Sequence, residues 1–367
     1  MLALIAAGCG NDDDAGGTGV PTVLATTSIW ADVTANVACD GLAEVSTIIP
    51  PGGDPHAFQP SLSDRENMED AALIVANGLL LEEGLEDTID AVEDAGTPVF
   101  RVADHVSVIE FGSAMGHDEH DEDEHEDDHE GHDHDEDEGH DHDDHEGDDH
   151  DDHEGHDHDE DEGHDHDDHE GHDHDEDEHA EDDGHGHAHA HGSEDPHVWF
   201  DPIRVAEALP ALSQALATQA GLDAVALDEC VAAYRSELIA LDAEVDAILA
   251  SLHPEDRLLV TNHDALGYFA DRYGFQVIGT VIPSGSTLAA ASPAGLQELV
   301  ELIDETGVAA IFSESTHSSD DTEALGREAG VQVVSLNTGS LGPADSSSGT
   351  YIGFIRTNVQ KIAEGLG

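Results

Sequence analysis

Basic residues are scarce. The 367-residue chain carries 9 Lys+Arg against 87 Asp+Glu, a formal net charge of −78. A phosphate backbone needs a basic partner, so nucleic-acid binding is excluded. Direct electrostatic docking on anionic lipid is disfavoured for the same reason. Long apolar runs are also missing. No stretch of about 18 apolar residues occurs, so no segment reads as a membrane-spanning helix. Cysteine is limited to Cys9, Cys39 and Cys230.

What the chain has in excess is histidine, and it is unevenly placed. Of 29 His, 23 fall in the 75 residues from His117 to His191, together with 41 Asp+Glu and no Lys or Arg. The rest is an acidic body with six His: His56, His105, His197, His253, His263 and His317. The tract is a repeat. Glycines at 131, 139, 147, 155, 163 and 171 give a period of eight. The fourth position of each unit is His134, His142, His150, His158, His166 or His174, and His132, His140, His156, His164 and His172 take the second position. No core-forming residue is present, so nothing offsets the entropy of ordering, and the tract is expected to be disordered. Uniform polarity also excludes a solenoid. Imidazole and carboxylate ligands without thiolate suit Zn²⁺, Cu²⁺ and Ni²⁺. Flexible ligands make many weak, exchanging sites, a low-affinity metal collector or sensor. The bland alternative is a solubilising acidic linker.

The N-terminus is an apolar run, Met1 to Gly8, followed by Cys9 and a polar, Gly-rich stretch. This pattern predicts a signal remnant with lipidation at Cys9 and a tether over 1–20, and hence an exported, membrane-anchored protein. It departs from the usual processing site in having Ala6 where Leu is common, and in lacking basic residues before the apolar run. The alternative is a frayed apolar end. In an oxidising compartment Cys39 and Cys230 are a candidate disulfide, against the alternative of two unrelated buried thiols.

From residue 21 onward, short β-rich runs alternate with helical patterns. Strands are predicted at 23–27, 44–49, 72–76 and 98–102. Helices are predicted from a cap at Ser28 to about Ala38, after Ser63, and from Leu81 to Ala95. The same grammar restarts at 257, with strands at 257–261, 275–281, 308–312 and 331–336. Helices there are predicted at 264–273, 292–305, 320–329 and 350–366. Between them Leu227, Val231, Tyr234, Leu238, Leu241, Val245, Ile248 and Leu252 form one seam stepping by four and three. A helix of about 26 residues spans roughly 39 Å. The expected fold is α/β, with two β/α lobes, each holding a roughly four-stranded parallel sheet. One long, rigid helix joins the lobes, and a disordered His/Asp/Glu-rich insertion interrupts the first. The boundaries read are 21–116 and 192–225 for the first lobe, 117–191 for the insertion, 226–253 for the linking helix and 254–367 for the second lobe.

Three of the six remaining His stand out. His56 lies in PPGGDPHAFQPS, His197 in DPHVWFDP, and His263 in LLVTNHDALGYF at the end of a strand. In an open α/β sheet, ligands gather beyond the carboxyl ends of strands. Two of these His follow an Asp-Pro pair, whose restricted backbone fixes the loop. Three neutral nitrogens suit Zn²⁺ at about 2.0–2.1 Å, leaving one position for an oxygen. A single surface His is by default idle, and His105 and His253 stay under that reading. His317 follows Glu314 in FSESTHSS at another strand end, from which it could reach the site. Three His plus an open position is also a hydrolase arrangement, but no H-E-x-x-H motif is present.

Together these contexts resemble the metal-binding solute-binding proteins of zinc and manganese ABC importers, the ZnuA-like group that includes manganese-binding lipoproteins. The resemblance covers about residues 21–367 outside the tract. It rests on DPHAFQPS, NGLLLEEGLEDTI, DPHVWFDP, TNHDALGYFADRYG, SPAGLQELVELI, FSEST and YIGFIRTNVQKIAEGL. It implies two lobes joined by one helix, metal in the cleft, no enzymatic turnover, a monomer, and a permease with its ATPase subunit as partners outside the cytoplasm. An acidic His-rich loop just before the DPHVW segment is a feature of zinc-type members. The resemblance puts His56, His197 and His263 on ligand positions. Manganese-type relatives typically have Glu at the third, and imidazole there shifts preference toward Zn²⁺ over Mn²⁺. A fourth ligand is often an Asp near the last strand, where this chain has Asn337. Glu314 and Asp54 are the other candidates, with water. A surface metal-scavenging or adhesive lipoprotein without its own permease is the remaining alternative.

Overall fold

Leu73–Ala76 is buried at all four positions, the continuous apolar run of a strand covered on both faces. In the computed structural model, which describes residues 19–39, 41–113, 193–316 and 318–367, it is the centre of the first of two parallel sheets. That sheet comprises β1 (Thr22–Ala25), β2 (Glu44–Thr47), β3 (Leu73–Ala76) and β4 (Val99–Arg101) in the order β2-β1-β3-β4. Its helices are α1 (Ser28–Val37), α2 (Leu62–Glu69) and α3 (Glu86–Asp94). Cys9, His317 and the tract His from His132 to His174 lie outside the described residues.

Two helices follow, α4 (Pro202–Thr218) and α5 (Ala224–Leu249), and they run against each other. The second sheet repeats the first. Strands β5 (Leu258–Thr261), β6 (Gln276–Thr280), β7 (Ala310–Glu314) and β8 (Gln332–Leu336) are parallel in the order β6-β5-β7-β8. Its helices are α6 (Gly267–Tyr273), α7 (Pro293–Thr306), α8 (Asp320–Ala329) and α9 (Tyr351–Leu366). In both sheets the strand order reverses beside the first strand. A crevice therefore opens there at the carboxyl ends of the strands.

One hydrophobic core runs through both lobes. It joins Val23, Trp30 and Val75 of the first to Leu259, Phe312 and Phe354 of the second, by way of Leu209, Leu238 and Leu241. Each fully buried leucine of this kind contributes roughly 1.5–3 kcal/mol over its exposed state. The outer sheet faces have separate cores, around Ile74, Ile89 and Val92 in the first lobe and around Leu299, Ile303 and Ile311 in the second. Lobes that share a core resist wide hinge motion. Among the described residues no helix is long and apolar enough to cross a membrane.

The local departures from the sequence expectations have identifiable causes. Thr27, not Ser28, caps α1, its hydroxyl accepting the Trp30 N–H at 3.3 Å. Ser28 is turned to the other lobe, where its hydroxyl accepts the Leu341 N–H at 3.0 Å. The helix expected from Leu81 begins only at Glu86. Gly78, Leu79 and Leu80 are all left-handed, at φ 85, 56 and 59. The buried Glu82 carboxylate then accepts the Asn77 N–H at 2.7 Å, which holds the chain in a turn. On α5 the seam rotates at its end, so that Leu249 rather than Ile248 is buried. Helix α4 has no counterpart in the sequence reading. Pro210 lies inside it, at an exposed position. Its start carries a recognisable signal, Asp201 capping the Ile203 N–H at 2.8 Å with Pro202 at the first position. Cys39 and Cys230 form a disulfide with a Cα–Cα distance of 5.6 Å, fastening the end of α1 to the first half of α5.

Candidate metal centre

Each of the three singled-out His is set by a local device. Asp54 and Asp195 each open an Asp-Pro-His turn, and each carboxylate accepts the N–H of the His two residues on, at 3.0 and 2.9 Å. This is an Asx turn, with the side chain standing in for a backbone acceptor. His263 follows the end of β5. The Thr261 hydroxyl donates to the His263 carbonyl at 2.7 Å, and the same carbonyl accepts the Ala265 N–H at 2.9 Å. That is why α6 starts at Gly267 and not at Asp264.

The three turns converge. His56, His197 and His263 are 3, 1 and 2% exposed, and each offers a ring nitrogen within 4.8 Å of the others. The Nε2 atoms of His197 and His263 are 3.2 Å apart. Nitrogens on a tetrahedral zinc at about 2.0–2.1 Å stand about 3.3 Å from one another. That pair is already spaced to share one ion. A ring nitrogen of His56 lies within 4.8 Å of both.

Behind each imidazole stands a carboxylate. His197 Nδ1 is 2.7 Å from Asp195 Oδ1. His263 Nδ1 meets Glu314 Oε1 at the end of β7. His56 Nδ1 lies 3.3 Å from Glu83 Oε1. Carboxylates in this position fix the tautomer and ring orientation of a metal-binding His and raise its basicity. Space is left for one of them by Gly267, where a Cβ would lie 2.5 Å from Asp195 Oδ2.

The charges are balanced within the cluster. Burial, then the neighbouring His263 and His56, hold His197 well below its ordinary value, so its imidazole is neutral and able to donate a lone pair. Burial would also depress His263, but the Glu314 carboxylate, with Asp54 and Asp264, outweighs it and holds His263 above the ordinary value. Burial pushes Asp195 up to about 7 against the His197 N–H and the nearby His263 and His56. Burial would raise Glu314 too, and the adjacent His263 reverses that shift.

The other candidates are placed differently. Asn337 Oδ1 accepts the Ser315 hydroxyl at 2.9 Å. Asp54 Oδ2 accepts the Thr287 hydroxyl of the other lobe at 2.6 Å, so this carboxylate ties the two lobes beside the site. Glu314 stands on the Nδ1 side of His263. His105 stacks on Phe100 at 4.6 Å between ring centroids, and His253 precedes a short 3₁₀ turn at 254–256. Among the described residues no other His/Cys/Asp/Glu group is placed to hold a metal ion.

A family model described as the periplasmic zinc-uptake complex component A matches residues 23–365. The chain belongs to this family of metal-binding solute-binding proteins. Its members are binding proteins, not enzymes, which removes the hydrolase alternative. Members named for different metals are similar to this chain. The zinc-binding protein TroA of Treponema pallidum is 35% identical over 178 residues, 47% of this chain and 57% of that protein. The manganese-binding lipoprotein MntA of Halalkalibacterium halodurans is 23% identical over 370 residues, 100% of this chain and 96% of that protein. Among solved structures, the periplasmic zinc-binding protein TroA superposes with a TM-score of 0.68 at 25% identity, covering 95% of this chain and 100% of that one. A manganese-bound periplasmic metal-binding protein from Candidatus Liberibacter asiaticus shares the fold, with a TM-score of 0.65 at 20% identity.

The sequence reading singled out the three His that the structure brings together, and it did not pair them with the carboxylates that stand behind their rings. Asp195 was legible, because DPH occurs twice and its Asp stands two residues before the His in both turns. Glu83 and the supporting role of Glu314 carried no such signal.

Proposed function

We propose that this protein captures Zn²⁺ between His56, His197 and His263 outside the cytoplasm and delivers it to a membrane permease driven by an ATPase subunit. The observation that carries the choice of metal is the donor set: three imidazoles and no carboxylate in the converging group. Nitrogen donors suit zinc, whereas manganese favours carboxylate, carbonyl and water oxygen. A fourth position falls to solvent. A cavity of about 20 Å³ adjoins His56, enough for one water, which needs roughly 10–15 Å³. The disulfide fits an oxidising compartment, in line with export and a lipid anchor at Cys9. The His-rich tract acts as a low-affinity collector. The shared core of the two lobes favours release through loop adjustment on docking over wide opening.

A competitive Zn²⁺/Mn²⁺ titration of the protein lacking 117–191 tests this reading. One tight site that prefers zinc should remain, while several weak ones disappear. Loss of the tight site with the tract, or preference for Mn²⁺, would overturn it.

A further inference from the structure

A metal ion held by these three imidazoles is walled in, because none of them is more than 3% exposed. Beside His56 lies a cavity of about 20 Å³, lined among others by Leu80, Glu83, Phe111, Glu194 and Gly285. That space admits about one water. A divalent cation that keeps several waters of its first shell does not fit. One lining group must move for the ion to pass, and the carboxylates of Glu83 and Glu194 favour a cation in transit.

Phe111 is the group placed to move. Its ring lies against Gly285 so closely that a Cβ there would stand 1.9 Å from Phe111 Cζ. Gly285 does not have a positive φ, so its backbone makes no demand for glycine. The missing side chain makes room for the ring. The ring centroid is 6.5 Å from that of His197. The backbone under it is fixed. The Phe111 N–H donates to the Ser193 carbonyl at 2.9 Å, the Asp195 N–H donates to the Ile109 carbonyl at 2.8 Å, and the Ile109 N–H donates to the Tyr268 hydroxyl at 3.2 Å. A half-buried ring on an anchored backbone can leave Gly285 by side-chain rotation alone. Leu79 and Leu80, by contrast, belong to the turn that Glu82 holds from within.

We propose that Phe111, seated on Gly285, sets the rate at which metal enters and leaves the histidine site. This rests on the assignment of His56, His197 and His263 as the metal site. Its test is stopped-flow release of Zn²⁺ from the full-length protein into excess EDTA, and uptake in the reverse direction. Tryptophan fluorescence reports the event, since both Trp lie outside the tract and the Trp199 ring is 5.3 Å from that of His197. The phase belonging to the site is the one that His263→Ala removes. Phe111→Ala is expected to speed both uptake and release by about tenfold or more while the equilibrium affinity stays within about threefold. Gly285→Ala, which displaces the ring without removing it, should act in the same direction, and the double variant should be no faster than Phe111→Ala alone. Unchanged rates in both single variants would overturn the proposal, as would a loss of affinity large enough to account for faster release. If Phe111→Ala melts early, Gly285→Ala decides. Should His263→Ala leave every phase in place, the metal assignment itself fails, which is distinct from a site that binds but exchanges at an unaltered rate.

Discussion

His263→Ala is expected to abolish tight zinc binding, weakening it by well over about 100-fold, while the protein keeps its fold. Removing only a supporting partner of a metal-bound His typically costs about 10–100-fold. Removing the imidazole itself must exceed that, because the site has three such ligands and no converging carboxylate to replace one. The substitution also strands Glu314, which is buried and whose charge His263 balances. A buried carboxylate that loses its partner takes up a proton or costs stability. Asp195→Asn is the graded comparison. It keeps His197 as a ligand but weakens its orienting partner, and should fall in the 10–100-fold range. Isothermal titration of both variants against the parent checks the ordering. Equal, small losses for the two would show that His263 is not a ligand.

Breaking the disulfide carries the largest expected effect on stability. Cys39 and Cys230 are 191 residues apart in sequence. The chain-entropy estimate for closing a loop of that length is about 5 kcal/mol, and native disulfides commonly contribute about 2–5 kcal/mol. The bond also fastens α1 of the first lobe to α5, whose buried leucines carry the common core. Reduction, or Cys230→Ala, should lower the melting temperature by on the order of 10 °C. Zinc affinity measured well below the melting point should hardly change, because neither cysteine touches the site. Scanning calorimetry with and without reductant gives the answer. An unchanged melting temperature would mean that the loop was already restrained without the bond.

Much of the architecture was legible in the sequence because its periodicities are clean. The seam from Leu227 to Leu252 steps by four and three without Gly or Pro, and α5 forms over Ala224–Leu249. Ala72 to Ala76 is an unbroken apolar run and becomes the central strand. Helix α4 was not legible, since Pro210 breaks the helical pattern and its tolerance depends on facing solvent. The imidazoles could be singled out because two sit in Asp-Pro-His turns and one at a strand end. Their carboxylate partners Glu83 and Glu314 could not be paired with them in advance. Glu314 is 51 residues from His263, and only the parallel pairing of β5 with β7 brings the two together. Phe111 carried no signal at all, since its significance lies in the absence of a side chain at Gly285, on a loop of the other lobe.

The proposed centre is one zinc ion held by three imidazoles from three separate segments. Its most direct test is a crystal structure of the zinc-loaded protein with anomalous data collected at the zinc edge. One strong peak is expected about 2.0–2.1 Å from a ring nitrogen of each of His56, His197 and His263, with a single oxygen completing a tetrahedron. Zinc bound by fewer than these three residues, or found only elsewhere while the cluster stays empty, would contradict it.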